Sequence, residues 1–416
     1  MPATSDGQVD IAVIGAGIAG IATAYYQCTE HGKKSVLLID PRQPMSYTSA
    51  QSGDNYRNWW PHPVMTAFTN ASIDELDRLA KESNNVFNMT RGGYVLASRR
   101  DTGSENQVRG DAITTDYPWL SNDIRSVIHI RRGGDISGHQ LGMYMLEGIR
   151  ECGGKFLRGA VTSIDAGHPF RLEVDKKTTV EAEQIVNAAG PFANHIAGLL
   201  GESLPVTNLF QQKVAFEDRL GAIRRDMPFS IDLDAKTLSW TDEERELLAD
   251  DPDLAWLTET LPGGTHCRPD GGPKGKWVKL GWAYNQQTSE PQEDLANEPT
   301  SDPQFPEIVM RGAAEFIPAL RPYIDEPPAR YSHYGGYYTM TEENWPLIGP
   351  MATDGAFMVA ALSGFGSMSA CAAGSLCASW MAGGDLPDYA TALSAARYDD
   401  DALMQELANA TSKGIL

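Results

Sequence analysis

The stretch from Val9 to Asp40, "VDIAVIGAGIAGIATAYYQCTEHGKKSVLLID", constrains the fold of this chain more than any other. Val9 to Ile14 is an apolar run of strand length. Gly15, Ala16, Gly17, Ile18, Ala19 and Gly20 follow at once, and a helix-compatible run of Ala, Tyr and Gln comes next. A second strand, Ser35 to Ile39, ends on Asp40. Gly15 makes a tight turn, Gly17 lets the backbone approach a pyrophosphate, and Gly20 lets helix and strand pack closely. The helix N-terminus offers free N–H groups and a positive dipole to phosphates. Asp40 is placed to accept hydrogen bonds from ribose hydroxyls. A lone GxGxxG is weak evidence, but strand, glycines, helix, strand and acid within about thirty residues form a specific pattern. The pattern predicts a dinucleotide-binding unit and does not by itself choose between NAD and FAD.

Composition bounds the rest. The chain has 416 residues, long enough for two or three domains, and its 42% hydrophobic content is that of a soluble globular protein. A net charge of −21 argues against nucleic acid and anionic membrane as partners. Cys28, Cys152, Cys267, Cys371 and Cys377 are scattered, with no ligand-type spacing. That suits a reducing compartment without a disulfide framework or structural zinc. The opening "MPATSDGQVD" has no signal-type apolar core, and the weakly polar run Ala370 to Ala382 is too short to span a bilayer. A cytoplasmic location is the expectation.

Later segments add to the pattern. The loop "PRQPMSYTSAQSGDNYRNWWPHPVM" after Asp40 is rich in Ser, Gly and Asn and then crowded with aromatics, as functional loops on a rigid scaffold often are. A short strand lies within 90–98, a helix over Gln140 to Arg150, and a buried strand, a Gly-Pro turn and a helix over 181–201. Near the end, a strand enters Ser363-Gly-Phe-Gly366 and a helix leaves it. In "KWVKLGW" (276–282), alternation sets Val278, Leu280 and Trp282 on one face and Trp277, Lys279 and Gly281 on the other. Lys279 between two tryptophans is either an edge lysine that blocks strand pairing or a functional ammonium.

These motifs, in order, resemble the flavoprotein family of D-amino acid, glycine and sarcosine oxidases. The likeness rests on GAGIAG at 15–20, the acid at 40, the Ser/Gly loop at 48–53, VNAAGPF at 186–192, KLGW at 279–282, the YTMT…PLIG segment and SGFG at 363–366. It covers nearly the whole chain. It implies α/β plus antiparallel β: a Rossmann-type FAD-binding domain (1–90, 138–205 and 339–416) interleaved with a mixed or antiparallel-sheet substrate domain (91–137 and 206–338). It also implies FAD contacts from 15–20, Asp40, Pro41, Arg42, Ser49, Ala50, Gln51, Ser52, Val161, Ala189, Gly190, Gly364, Phe365, Gly366, Ser367 and Met368.

Lys279 then gains a role, because a lysine over the flavin assists electron transfer to dioxygen by stabilising an anion in a dry cavity. A helix starting near Gly366 would aim its dipole at the flavin pyrimidine. The implied chemistry is oxidation of a Cα–N bond. Hydride passes to flavin N5, the imine is hydrolysed to a 2-oxo acid and ammonia, and dioxygen is reduced to hydrogen peroxide.

Two departures from the family matter. Gly336 stands where sarcosine oxidases tether FAD through cysteine, so FAD is expected to bind non-covalently. Met368 and Tyr338 stand where relatives place a lysine or an arginine for the substrate carboxylate. The anchor must come from elsewhere: Arg57 in "GDNYRNWWP" is the first candidate and Arg91 the second, since guanidinium matches carboxylate bidentately. Tyr338 and Phe365 are also expected to contact the substrate, and Trp59, Trp60, Trp240 and Trp282 are candidate walls for an apolar side chain, with plain core as the alternative.

Between Phe216 and Lys276, Thr241-Asp-Glu-Glu244 reads as a capping box opening a helical insertion. His266 is read as structural rather than as a base. The combination of "GDNYRNWWP", the insertion and "HCRP…KLGW" resembles an L-amino acid oxidase subgroup. N-methyl or D-amino acid oxidase, an amino acid dehydrogenase and a flavin-bearing scaffold are the alternatives. The partners expected are an amino acid and dioxygen; homo-oligomerisation is left open.

Overall fold

The computed structural model describes residues 8–104, 107–410 and 413–414. The polar opening up to Gly7 therefore lies outside the described residues, as do positions 411, 412, 415 and 416 of the expected third FAD segment. Two eight-stranded sheets organise the described chain.

The first sheet is built around Val9–Ile14, which pairs in parallel with Val36–Asp40 on one side and Thr178–Asn187 on the other. Lys155–Arg158 extends it beyond Val36–Asp40, and Ala356–Ala360 with Leu347–Pro350 extends it beyond Thr178–Asn187. Central parallel strands are covered on both faces, so they read as unbroken apolar runs rather than as alternation. Ile11, Val13, Val36 and Leu38 face one core, and Ala12, Ile14, Leu37 and Ile39 face another. Helices Ile18–Thr29 and Gly366–Ala382 pack together in the first core. A Cβ on Gly374 would lie 2.6 Å from the Ala22 carbonyl carbon, so the small residues of the C-terminal helix permit the close approach.

The second sheet runs in the order Tyr331–Met340, Thr207–Glu217, Trp277–Gly281, Thr265–Asp270, Phe229–Asp232, Tyr94–Ser98, Ser126–Ile130, Gln107–Arg109. All its pairings are antiparallel except Phe229–Asp232 with Tyr94–Ser98. Its faces differ in chemistry. Val214, Phe216, Cys267, Val278, Leu280 and Trp282 enter a core with helix Phe305–Phe316. Lys213, His266, Arg268 and Lys279 occupy the alternate positions and so the other face.

The insertion helix is Asp242–Asp250, and its capping box is complete. Glu244 N–H donates to Thr241 Oγ1 at 3.1 Å, and Thr241 N–H to Glu244 Oε2 at 2.8 Å. No described helix is long and apolar enough to cross a membrane.

Candidate active site

A cleft opens at the carboxyl ends of Val9–Ile14 and Val36–Asp40. Gly15, Ala16, Gly17, Asp40, Pro41 and Arg42 line it, and Ser49, Val161, Ala189 and Gly190 complete it. Gly15 has φ +113°, and a Cβ there would strike the Ala188 carbonyl. Only glycine fits such a turn. Asp40 is held in place by two backbone donors: Ala16 N–H to Oδ2 and Arg42 N–H to Oδ1, both at 2.8 Å. The Arg42 guanidinium lies 4.3 Å from the Tyr47 ring centroid and pairs with Glu293.

A second chamber continues from Ser49. Ile18, Gln51 and Ser52 line one side, Lys213 and Tyr338 another, and Gly364, Gly366 and Ser367 a third. Gly364 needs to be bare, since a Cβ would sit 2.5 Å from the Tyr338 ring. A glycine cradle, a helix N-terminus, a carboxylate at the strand end and an adjoining narrow chamber form a donor set that fits FAD, the adenylate side in the cleft and the ring system in the chamber.

A third cavity shares Ser52, Gly53, Lys213, Tyr338, Gly364 and Ser367 with the second and adds Asp54, Asn55, Arg57, Tyr94, Phe229, His266, Phe365 and Met368. Its wall is aromatic. Tyr94 and Phe229 have ring centroids 4.5 Å apart, Phe229 and His266 5.1 Å, and Trp60 and Phe365 4.9 Å.

Arg57 is buried, with its guanidinium 5.2 Å from the Trp60 centroid and 5.4 Å from that of Tyr94. Nε donates to the Trp59 carbonyl at 3.2 Å and Nη2 to the Gly414 carbonyl at 3.3 Å. Burial pushes its pKa down, opposed only by neighbouring tyrosines; no carboxylate among the described residues pairs with it. Lys213, 7% exposed, sits 5.4 Å from the Tyr338 centroid and likewise has no carboxylate partner among the described residues.

His266 was not expected here. Its Nδ1 lies 2.9 Å from the Gly264 carbonyl, which fixes the proton on Nδ1 and leaves the Nε2 lone pair free of it. Burial, and then Lys213 and Arg268, push its pKa down to about 4 against that backbone bond. A Cβ on Gly281 would collide with its ring. That collision accounts for the glycine in KLGW.

Several expected site residues lie elsewhere. Lys279 is on the correct face but does not line any of these cavities; its ammonium is 3.4 Å from Asp270 Oδ1. The register explains it: Lys213 stands opposite Gly281, at the chamber, whereas Lys279 stands opposite Ala215 and Arg268, one same-face step away. Arg91 is an exposed arginine paired with Asp77. Trp282 points into the core on the opposite face, its indole N–H donating to the Pro262 carbonyl at 2.9 Å. Trp240 bonds the Leu257 carbonyl under Arg311. Ala19 and Gly20 serve helix packing, and Ala50 is exposed; none of the three lines the cleft.

Residues 10–380 match the signature of the family described as FAD dependent oxidoreductase (DAO). Among solved structures, L-proline dehydrogenase from P. horikoshii superposes with a TM-score of 0.75 at 18% identity, over 96% of this chain and 99% of that one. Glycine oxidase from Geobacillus kaustophilus gives 0.72 at 14%, over 93% and 98%. L-Amino acid deaminase from Proteus myxofaciens gives 0.69 at 15%, over 96% and 95%. At such identities the likeness establishes the fold. With the family signature spanning most of the chain and the cleft built for FAD, the chain belongs to the FAD-dependent oxidoreductases of the DAO family.

Proposed function

We propose that this protein is an L-amino acid oxidase. The observation that carries the reading is Arg57: a buried guanidinium, unmatched by any described carboxylate, lining the cavity beside the chamber that fits the flavin ring. A buried charge of this kind calls for an anionic ligand, and an α-carboxylate is the anion an amino acid presents. Bound FAD supplies the acceptor for the hydride that leaves Cα.

The residues of the chain do the rest. Arg57 holds the carboxylate. The neutral His266 offers an acceptor lone pair to an amine N–H. Tyr338, Phe229 and Phe365 wall off water. Lys213 brings an ammonium to the boundary of the two chambers, which supports dioxygen as the final acceptor because its one-electron product is an anion. The folds of the Proteus deaminases and of L-proline dehydrogenase, named for L-substrates, favour the L-series. The acidic surface and scattered cysteines favour a cytoplasmic setting, and Gly336 favours non-covalent FAD.

A dehydrogenase is the second reading, favoured by the ion pair that holds Lys279 on Asp270. One experiment separates them. The yellow holoenzyme is mixed anaerobically with L-, D- and N-methyl amino acids, and air is then admitted. Bleaching by L-amino acids with rapid recovery and peroxide supports the oxidase. Bleaching without recovery makes it a dehydrogenase, and bleaching only by D- or N-methyl compounds reassigns the substrate.

A further inference from the structure

The substrate cavity carries more positive charge than one carboxylate can use. Four cations stand on or just behind its wall: Arg57, Lys213, Arg268 and Lys279. Two described acids answer them. Asp270 lies 3.1 Å from Arg268 and 3.4 Å from Lys279. Burial raises the pKa of Asp54, opposed chiefly by Lys279, the Ser52 hydroxyl and Arg268. Arg268 also donates to the Gly53 carbonyl at 3.0 Å, which fixes Arg268, Lys279 and Asp270 behind the wall that Gly53 and Asp54 line. Asp270 is thus paired with Arg268 and Lys279, Asp54 faces the same two cations electrostatically, and Arg57 and Lys213 are left without a described carboxylate partner.

Both of these sit in the third cavity, both are 7% exposed, and neither pairs with a described carboxylate. They are linked through Tyr338, whose ring lies beneath Lys213 and whose hydroxyl is close enough to act on Arg57 electrostatically. Asp54 also lines this cavity, but the cations that act on it are Lys279 and Arg268 rather than Arg57 or Lys213, and Phe229, Phe365 and the neutral His266 add no negative charge.

From this pairing of two unmatched cations we infer that the preferred substrate is an amino acid with an acidic side chain, its α-carboxylate on Arg57 and its second carboxylate on Lys213. An apolar substrate would leave the Lys213 ammonium desolvated and unpaired, which is costly; a dicarboxylic one removes that cost. The inference rests on the amino acid oxidase reading and names its substrate class.

The test is confined to the anaerobic half-reaction, so that no effect of Lys213 on oxygen enters. Flavin bleaching is followed in the holoenzyme with L-aspartate and L-glutamate against L-asparagine, L-glutamine and L-leucine. The acids are expected to exceed their amides in rate over apparent Kd by about tenfold or more, the worth of one well-placed charge contact. In Lys213→Met and Lys213→Gln, checked for retained FAD, that ratio is expected to fall towards one. Lys213→Glu is expected to invert the preference towards L-lysine and L-ornithine.

Amides or leucine preferred by the wild type would overturn the inference, and so would an acid-to-amide ratio that survives all three substitutions. If no amino acid of any class bleaches the flavin, the oxidase reading itself fails, and that outcome is distinct from either.

Discussion

The ammonium of Lys279 lies 3.4 Å from a carboxylate oxygen of Asp270, on the same sheet face as Lys213 and one step further from the flavin chamber. Two lysines thus share a face and divide its work. One is neutralised by its acid behind the cavity wall, and the other has no carboxylate partner among the described residues and stands at the cavity.

This division makes Lys279→Met a sharp experiment. Asp270 keeps Arg268 at 3.1 Å, so the fold is expected to lose only about 1 kcal/mol, in the range of a partly exposed ion pair. Stopped-flow mixing of reduced enzyme with air is expected to give a reoxidation rate within about threefold of wild type, under about 0.7 kcal/mol in barrier. A slowing of tenfold or more would return the oxygen role to Lys279.

Arg57 should show opposite effects on binding and on stability. Arg57→Met removes the carboxylate anchor, and loss of a buried charge contact of this kind costs roughly 2–5 kcal/mol, a drop in substrate affinity of about thirtyfold or more. The same substitution removes a buried cation that has no carboxylate partner among the described residues, so the thermal midpoint of the substrate-free enzyme is expected to hold or rise. Titration of flavin absorbance with substrate and a melting curve read the two effects separately. A variant that melts early yet binds normally would make Arg57 a structural residue.

Much of this was legible in the sequence, for definite reasons. The nucleotide cleft depends on local geometry: a turn only glycine can make at Gly15 and an acid at a strand end at Asp40, both fixed by near neighbours. The position of Arg57 at the cavity was legible because its loop is unusual. Lys213 was not. In "FQQKVAFE" it alternates like any half-buried strand, and nothing local marks which lysine of the sheet faces a cavity. That depends on cross-strand register, Lys213 opposite Gly281 and Lys279 opposite Ala215, which the sequence does not display. Trp282 went astray by the same route: its alternation with Lys279 was correct, and that alternation sends it to the opposite face. His266 had one readable signal, Gly281 on the next strand, whose missing side chain makes room for the imidazole.

Gly15→Ala tests the cleft directly. The backbone at φ +113° disfavours any side chain, and the added methyl would meet the Ala188 carbonyl. The purified variant is expected to be colourless or nearly so, with its flavin-to-protein absorbance ratio down by about tenfold, which corresponds to about 1.4 kcal/mol of lost affinity. Full flavin content would mean that the loop relaxes and that the cleft does not depend on this turn.

The last prediction concerns acid stability and His266. In the unfolded chain this histidine titrates near 6.5; in the fold, burial pushes it down to about 4. Between those values the unfolded state holds a proton that the native state refuses. Unfolding therefore takes up protons, and stability falls as pH drops from about 6.5 towards 4. Above 6.5 neither state is protonated and the residue contributes no slope; below 4 both are, and the slope ends. The loss across the window amounts to roughly 3–4 kcal/mol at most, since each tenfold difference in proton affinity between the two states is worth about 1.4 kcal/mol. Carboxylates titrate in the same range, so the wild type alone cannot isolate the effect. Urea unfolding of wild type and His266→Asn at pH 7 and pH 4.5 can, through the difference of differences. The variant is expected to lose less stability on acidification than the wild type, by about 2 kcal/mol. Equal losses would mean that the imidazole is reached by water and protonates freely, and the neutral acceptor assigned to the substrate cavity would then be wrong.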